Sequence, residues 1–161
     1  MSKQTSDIDN VWWLIPEKLA GMPRPQLANL PELRQIGIQG IVSVMDEPSG
    51  IKEYEQEGFQ AIWLPITGGK PPTLEQVKQF VNFAEPIIDN DRSVVVHCTS
   101  GNRRTGTLLA AYLIAKGENP QQAISLTAWL RYALVQKARP TAQLREAQKN
   151  FLFQLPEILA N

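Results

Sequence analysis

The stretch SVVVHCTSGNRRTGTLLAAYL, residues 93 to 113, joins two segments that both demand burial. Val94, Val95 and Val96 form a β-branched run without polar alternation, the pattern of a strand covered on both faces. Beyond a loop that contains Gly101, a helix from about Arg104 to Lys116 is apolar on nearly every side through Leu108, Leu109, Ala110, Ala111, Tyr112, Leu113 and Ile114, and Gly117 closes it. A strand covered twice and a helix surrounded by other elements meet naturally in the middle of a layered α/β domain. The 161 residues suffice for one such domain with a sizeable core and fall short of two of full size.

The rest of the chain fits that frame. After a polar tail, residues 1–10, expected to be flexible, Val11 to Ile15 and Leu19 to Gly21 read as short strands about a turn at Pro16 to Lys18. Leu30, Leu33 and Ile36 have helical spacing, with Pro31 near the start and Gly37 just past the end, and a strand Gly40 to Val44 follows. Ile51 to Gly58 reads as a short polar helix and Phe59 to Ile66 as a buried strand. Thr73 and Gln76 form a capping box for a helix whose apolar face is Val77, Phe80, Val81, Ala84, Ile87 and Ile88, with a kink or stop expected near Pro86.

Asn119 and Pro120 open a helix that turns Ala123, Ile124, Leu126, Leu130 and Leu134 to the core. A last helix from about Thr141 does so with Leu144, Ala147, Phe151, Leu152 and Leu155. The expectation is an α/β fold with a central mixed, mostly parallel sheet flanked by helices, and residues 11–161 as a single domain.

Sixteen basic and 16 acidic residues cancel, so the chain as a whole offers no electrostatic pull toward nucleic acid or a membrane surface, and neither is expected as a partner. The first ten residues lack a secretory apolar run and no stretch is apolar for the length of a membrane span, so the reading is a soluble, cytoplasmic protein. One cysteine forms no internal disulfide, and with one histidine beside it no structural zinc set can be assembled. No metal or cofactor is expected, and a monomer is the default.

The chemistry concentrates between the strand and the helix. A loop leaving the carboxyl edge of a buried strand and entering a helix points several backbone N–H groups in one direction, at the positive end of the helix dipole. Here that loop is Thr99, Ser100, Gly101, Asn102, Arg103 and Arg104, immediately after Cys98. A thiolate at the rim of such a cradle is stabilised by the amides and by guanidinium charge, and an arginine fork holds two oxygens of a tetrahedral anion at once. Phosphate fits. The chemical expectation is in-line attack by Cys98 on phosphorus, Arg104 and the loop amides holding the oxygens, and a phosphocysteine that water hydrolyses. Thr105 is placed to donate its hydroxyl to the sulfur, and His97, preceding the nucleophile on a strand, should point away from it and support the loop from behind.

"HCTSGNRRTG" resembles the active-site signature of the cysteine-dependent protein tyrosine phosphatases, namely His-Cys, five residues, Arg, then Ser or Thr and Gly. The small atypical dual-specificity phosphatases are the most similar group, and "LAG", "IVSV", "PPTLEQV", "ARP" and "FLFQL" look like further counterparts. The resemblance runs from about Val11 to Leu155 and implies Cys98 as nucleophile, Arg104 as the phosphate-gripping arginine, Thr105 as the hydroxyl residue and Gly101 as the loop glycine. It also implies a phosphorylated protein or a small phosphomonoester as substrate.

One part of the family pattern is missing. Relatives of this kind carry an aspartate that protonates the leaving oxygen, on a loop that here reads "LPITGGKPPT"; the position is Gly68, and no carboxylate occurs from Trp63 to Leu74. Asp46 follows a strand and should reach the carboxyl edge of the sheet, where open α/β folds gather ligands, and it is the favoured substitute. Glu47 has a similar claim, Glu75 is explained as a dipole partner in a first helical turn, and a site without an acid stays open.

Two other functions compete with hydrolysis: a domain that binds phosphorylated partners and turns over little, and redox chemistry at the thiol, which the arginine placement suits less well. Arg103 reads equally as an extra charge for the substrate or as a solvent-facing residue. Trp12, Trp13, Trp63 and Trp129 read as core and rim aromatics.

Overall fold

The computed structural model describes residues 6–134 and 143–161, with side chains up to Arg131 in the helix that ends at Leu134. Among the described residues there are five strands: β1 Trp12–Ile15, β2 Leu19–Pro23, β3 Ile38–Ser43, β4 Gln60–Trp63 and β5 Ser93–Cys98. The helices are α1 Leu30–Gln35, α2 Ile51–Gln56, α3 Leu74–Asp89, α4 Arg103–Ala115, α5 Pro120–Leu134 and α6 Glu146–Ala160.

The strands form one sheet in the order β1-β2-β5-β3-β4. Only β1 and β2 are antiparallel, across a turn at Glu17; the remaining neighbours run parallel. The expected mixed, mostly parallel sheet is therefore what forms.

The valine run occupies the central strand because it is the one segment apolar on both faces. Val94, Val96 and Cys98 lie in a core with Phe80 and Ala84 of α3, Leu108 and Leu109 of α4, Ala123 of α5 and Leu152 and Leu155 of α6. Val95 lies in a second core with Leu30 and Leu33 of α1 and Tyr54 of α2. The helical layer expected on one face is thus built from α3 to α6, and two short helices cover the other.

Several expectations need correction. β5 runs on past the valines to Cys98, so the thiol is the last residue of the strand. Helix α3 continues through Pro86 to Asp89. Pro86 and Asn82, whose carbonyl loses its helical partner, are both exposed, so that carbonyl lies on the solvent side while Ile87 and Ile88 anchor the last turn in the core.

The stripe expected of the last two helices also shifts. Leu126 is 42 % exposed, and the polar Thr127 and Arg131 take core-facing places. Leu144 is buried but precedes α6, Ala147 is exposed, and Gln148 is buried beside it. The helix start expected near Thr141, the core position of Leu134 and the piece "ARP" lie outside the described residues or side chains. Asp7–Asn10 forms a 3-10 turn, and the buried Asp7 accepts from Gln26 N at 2.8 Å and Asn29 Nδ2 at 3.1 Å.

His97 illustrates what the central strand imposes. Strand alternation turns it to the side opposite the thiol, where its Nε2 lies 3.0 Å from Tyr54 Oη with the rings edge to face. Burial lowers the histidine pKa from 6.5 to about 4 and raises that of the tyrosine from 10.0 to about 12, so the pair is neutral at physiological pH. The unfolded chain takes up this proton below about pH 6.5 and the folded chain only near pH 4. Acidification across that window therefore favours unfolding, by roughly 3 kcal/mol at its lower end. In urea titrations between pH 7 and pH 4, His97→Gln is expected to lose much of this pH dependence; an equal slope in the variant would remove His97 as its source.

Candidate active site

Three parallel strands end together. Pro23 of β2 pairs in register with Cys98 of β5, and Ser43 of β3 pairs with His97. The chain leaving each strand is tied to its neighbour at this edge: Arg24 N donates to Thr99 O at 3.3 Å and Val44 N to His97 O at 3.0 Å. Carboxyl edges of parallel strands are where open α/β sheets take their ligands.

Cys98 ends β5 with 2 % of its surface exposed, and the Gly101 amide donates to its Sγ at 3.2 Å. The loop can fold back over the sulfur because Gly101 takes φ +74 and carries no side chain; a Cβ there would lie 2.4 Å from Met22 C and 2.5 Å from Pro23 N. Any larger residue would push the loop off the end of β2. Asn102 precedes α4 without a side-chain cap, so its carbonyl starts the helix by accepting from Gly106 N at 2.7 Å while the first N–H groups remain for a ligand.

Arg104 stands in the first turn of α4 with its side chain 14 % exposed. Its Nη1 donates to Ile66 O at 3.0 Å and its Nη2 to Thr99 Oγ1 at 3.3 Å. The same Nη1 lies 3.6 Å from Asp46 Oδ1, a carboxylate that is 64 % exposed at the end of the segment following β3. Cys98, the loop, Arg104 and Asp46 are thus brought to one place. Glu47 and Glu75 are exposed, and Glu75 lies in the first turn of α3.

Two expectations do not hold as stated. Thr105 is buried, but its Oγ1 has no hydrogen-bond partner among the described residues, so the bond to sulfur is not formed. Its methyl group instead packs toward Gly21, where a Cβ would come within 2.8 Å of Thr105 Cγ2. Arg103 is turned toward the segment just ahead of α6, where its Nε donates to Gln143 O at 2.9 Å. Ser100 is exposed on the loop.

The loop "TGGK" is fixed from two sides. Gln76 Nε2 donates to Pro65 O at 2.7 Å and Gln148 Nε2 to Lys70 O at 3.3 Å. At Gly68 a Cβ would meet nothing within 4 Å, so no neighbour packs against that position.

Three participants escaped the sequence reading. Tyr54 sits in a helix that reads as polar, Trp12 reads as a core aromatic, and Arg131 lies in a helix stripe judged on its apolar residues alone. Trp12 Nε1 donates to Gly101 O at 3.2 Å and Arg131 Nη1 to Asn102 O at 3.0 Å, so two distant elements reach the loop. A signal was available for the tryptophan, since a buried indole N–H requires an acceptor. Among the described residues no group of three His, Cys, Asp or Glu side chains is placed to hold a metal ion, and no helix is long and apolar enough to cross a membrane.

The chain is similar to several proteins named as phosphatases. The chain is 29 % identical over 119 residues to the tyrosine-protein phosphatase CDC14 of Candida albicans, a match covering 73 % of this chain and 22 % of that protein. It is 33 % identical over 99 residues to the CDC14 phosphatase of Saccharomyces cerevisiae, covering 61 % of this chain and 18 % of that one. The chain thus spans about a fifth of the length of these curated relatives.

Among solved structures, Tk-PTP superposes with a TM-score of 0.77 at 23 % identity over 94 % of this chain and 97 % of the other. PTPMT1 does so with a TM-score of 0.78 at 21 % identity over 93 % and 96 %. A family described as "Polymorphic toxin system, DSP-PTPase phosphatase" matches residues 18–118, more than half of the sequence. With its cysteine loop, its sheet order and this match in agreement, the chain belongs to the DSP-PTPase phosphatases, the small dual-specificity branch of the protein tyrosine phosphatase superfamily.

Proposed function

We propose that the chain from residue 11 onward is one catalytic unit that hydrolyses phosphomonoesters on tyrosine, and on serine or threonine where the pocket admits them, through a phosphocysteine. The observation that carries this reading is the Gly101 amide aimed at the Cys98 sulfur at 3.2 Å, on a loop whose Thr99 hydroxyl accepts from the Arg104 guanidinium. Cys98 as thiolate attacks phosphorus in line, and the bond from phosphorus to the leaving oxygen breaks. The loop amides from Thr99 to Arg104 and the Arg104 fork hold the other three oxygens. Water then attacks the phosphocysteine, the P–S bond breaks, and inorganic phosphate and the thiolate are released.

Asp46 is the group we assign to proton transfer, giving its proton to the leaving oxygen and taking one from the attacking water. Its support is position: it is the carboxylate that faces Arg104. An incoming phosphate dianion competes with Asp46 for the same guanidinium nitrogen, so substrate binding frees the carboxyl group for its task. His97, neutral and buried against Tyr54, holds the base of the loop and takes no proton in the reaction.

A second reading follows from the fixed "TGGK" loop. If no group replaces the missing acid, the domain binds phosphorylated ligands firmly and turns over well only those with good leaving groups.

Hydrolysis of p-nitrophenyl phosphate and of a phosphotyrosine peptide separates these readings. Cys98→Ser is expected to lower both rates by at least about 10³-fold while leaving phosphate binding in place; persistence of turnover would exclude the phosphocysteine route. Asp46→Asn should slow the phosphotyrosine reaction by about 10²-fold and abolish the decline in rate at high pH, because a general acid works only while protonated. An unchanged profile would remove Asp46 from the mechanism. Gly68→Asp places a carboxylate in open space at the position usual for the family. It should raise phosphotyrosine turnover about tenfold relative to the activated ester.

A further inference from the structure

The cradle works only if the peptide N–H groups of the loop face inward. In a trans peptide the carbonyl of one residue and the N–H of the next point in opposite directions. Whatever holds a loop carbonyl outward therefore aims the following amide inward. Thr99 O is held by Arg24 N, Gly101 O by Trp12 Nε1, and Asn102 O by Arg131 Nη1 together with Gly106 N. Two of these donors are side chains from elements far away in the sequence, β1 and α5.

We propose that Trp12 and Arg131 are positioning residues of the anion site. By holding the Gly101 and Asn102 carbonyls outward, they aim the Asn102 and Arg103 amides at the phosphate oxygens. The inference rests on the phosphatase reading and adds to it residues outside the loop.

Each strut has a matching glycine. A Cβ at Gly21 of β2 would fall 2.5 Å from the Trp12 ring, and one at Gly106 of α4 would fall 2.7 Å from Arg131 Nη1. Glycine inside a helix costs about 1 kcal/mol relative to alanine, and at position 106 it leaves the space through which the guanidinium reaches Asn102 O. Both side chains are also deeply placed, Trp12 with no exposed surface and Arg131 with 7 %.

Burying a guanidinium is unfavourable unless it is paired and hydrogen-bonded. Burial and the neighbouring Arg103 disfavour the Arg131 charge, whereas charge on Cys98 favours it. An anion in the cradle and the Arg131 cation therefore stabilise each other.

The test compares the wild type with Trp12→Phe, which keeps the ring and loses the donor, and with Arg131→Met and Arg131→Lys. Inorganic phosphate is titrated calorimetrically, and kcat and KM are measured with p-nitrophenyl phosphate. Arg131→Met should raise the phosphate Kd and the KM about tenfold, the worth of one hydrogen bond from a charged donor. Trp12→Phe should raise them severalfold, and Arg131→Lys should recover part of the loss. Damage to folding alone would lower the active fraction and kcat but leave the Kd of the folded molecules unchanged.

Should Arg131→Met not fold, Gly106→Ala, which crowds the guanidinium from α4, carries the test with Trp12→Phe. Folded variants with wild-type phosphate Kd would overturn the inference while the phosphatase reading stands. A wild type that neither binds phosphate nor hydrolyses the ester would overturn both.

Discussion

The structure depends on one close approach, the crossing of the loop after β5 over the end of β2. Gly101 makes it possible, since its backbone lies where any side chain would overlap Met22 and Pro23. From that crossing follow the amide bond to the Cys98 sulfur, the reach of the Trp12 indole to the Gly101 carbonyl, and the start of α4 at an uncapped Asn102. The sheet order serves the same end. With β2 on one side of β5 and β3 on the other, the loop has a neighbour to cross and a second neighbour that delivers Asp46 to Arg104.

Burial and reactivity are reconciled by strand alternation. Cys98 and His97 are adjacent in sequence, yet one faces the helices that bear the loop and the other faces Tyr54 across the sheet. The thiol can thus serve at the surface edge of one core while the imidazole stays neutral inside the other. A chain with a single histidine and a single cysteine side by side suggests a catalytic pair. The sheet separates them, the thiol beside the loop and the imidazole against Tyr54.

The valine run, the helix behind it and the signature between them made the central strand, the parallel sheet and the positions of Cys98 and Arg104 legible in the sequence. These features are local, and burial on both faces leaves a run without polar alternation. What stayed hidden depends on contacts between distant segments. Nothing around Trp12 shows that its indole meets residue 101, and nothing in the stripe of α5 shows that Arg131 turns inward while Leu126 stays exposed.

Asp46 could be placed at the sheet edge because it follows a strand, whereas the rotamer of Thr105, set by packing toward Gly21, has no sequence signature. Gln148, outside the apolar stripe expected of the last helix, is buried, and its amide bonds to the Lys70 carbonyl. The boundaries shifted where capping decided the outcome, as at the start of α6, where Gln148 Oε1 accepts from Arg145 N at 2.9 Å.

The two glutamine side chains that grip the segment after β4, Gln76 at Pro65 and Gln148 at Lys70, bear on kinetics as well as shape. In many enzymes a lid must close before chemistry begins and open before product leaves, and that motion sets the turnover rate. Here the segment after β4 is bonded to α3 on one side and to α6 on the other, so any lid-like movement of it has to break both bonds.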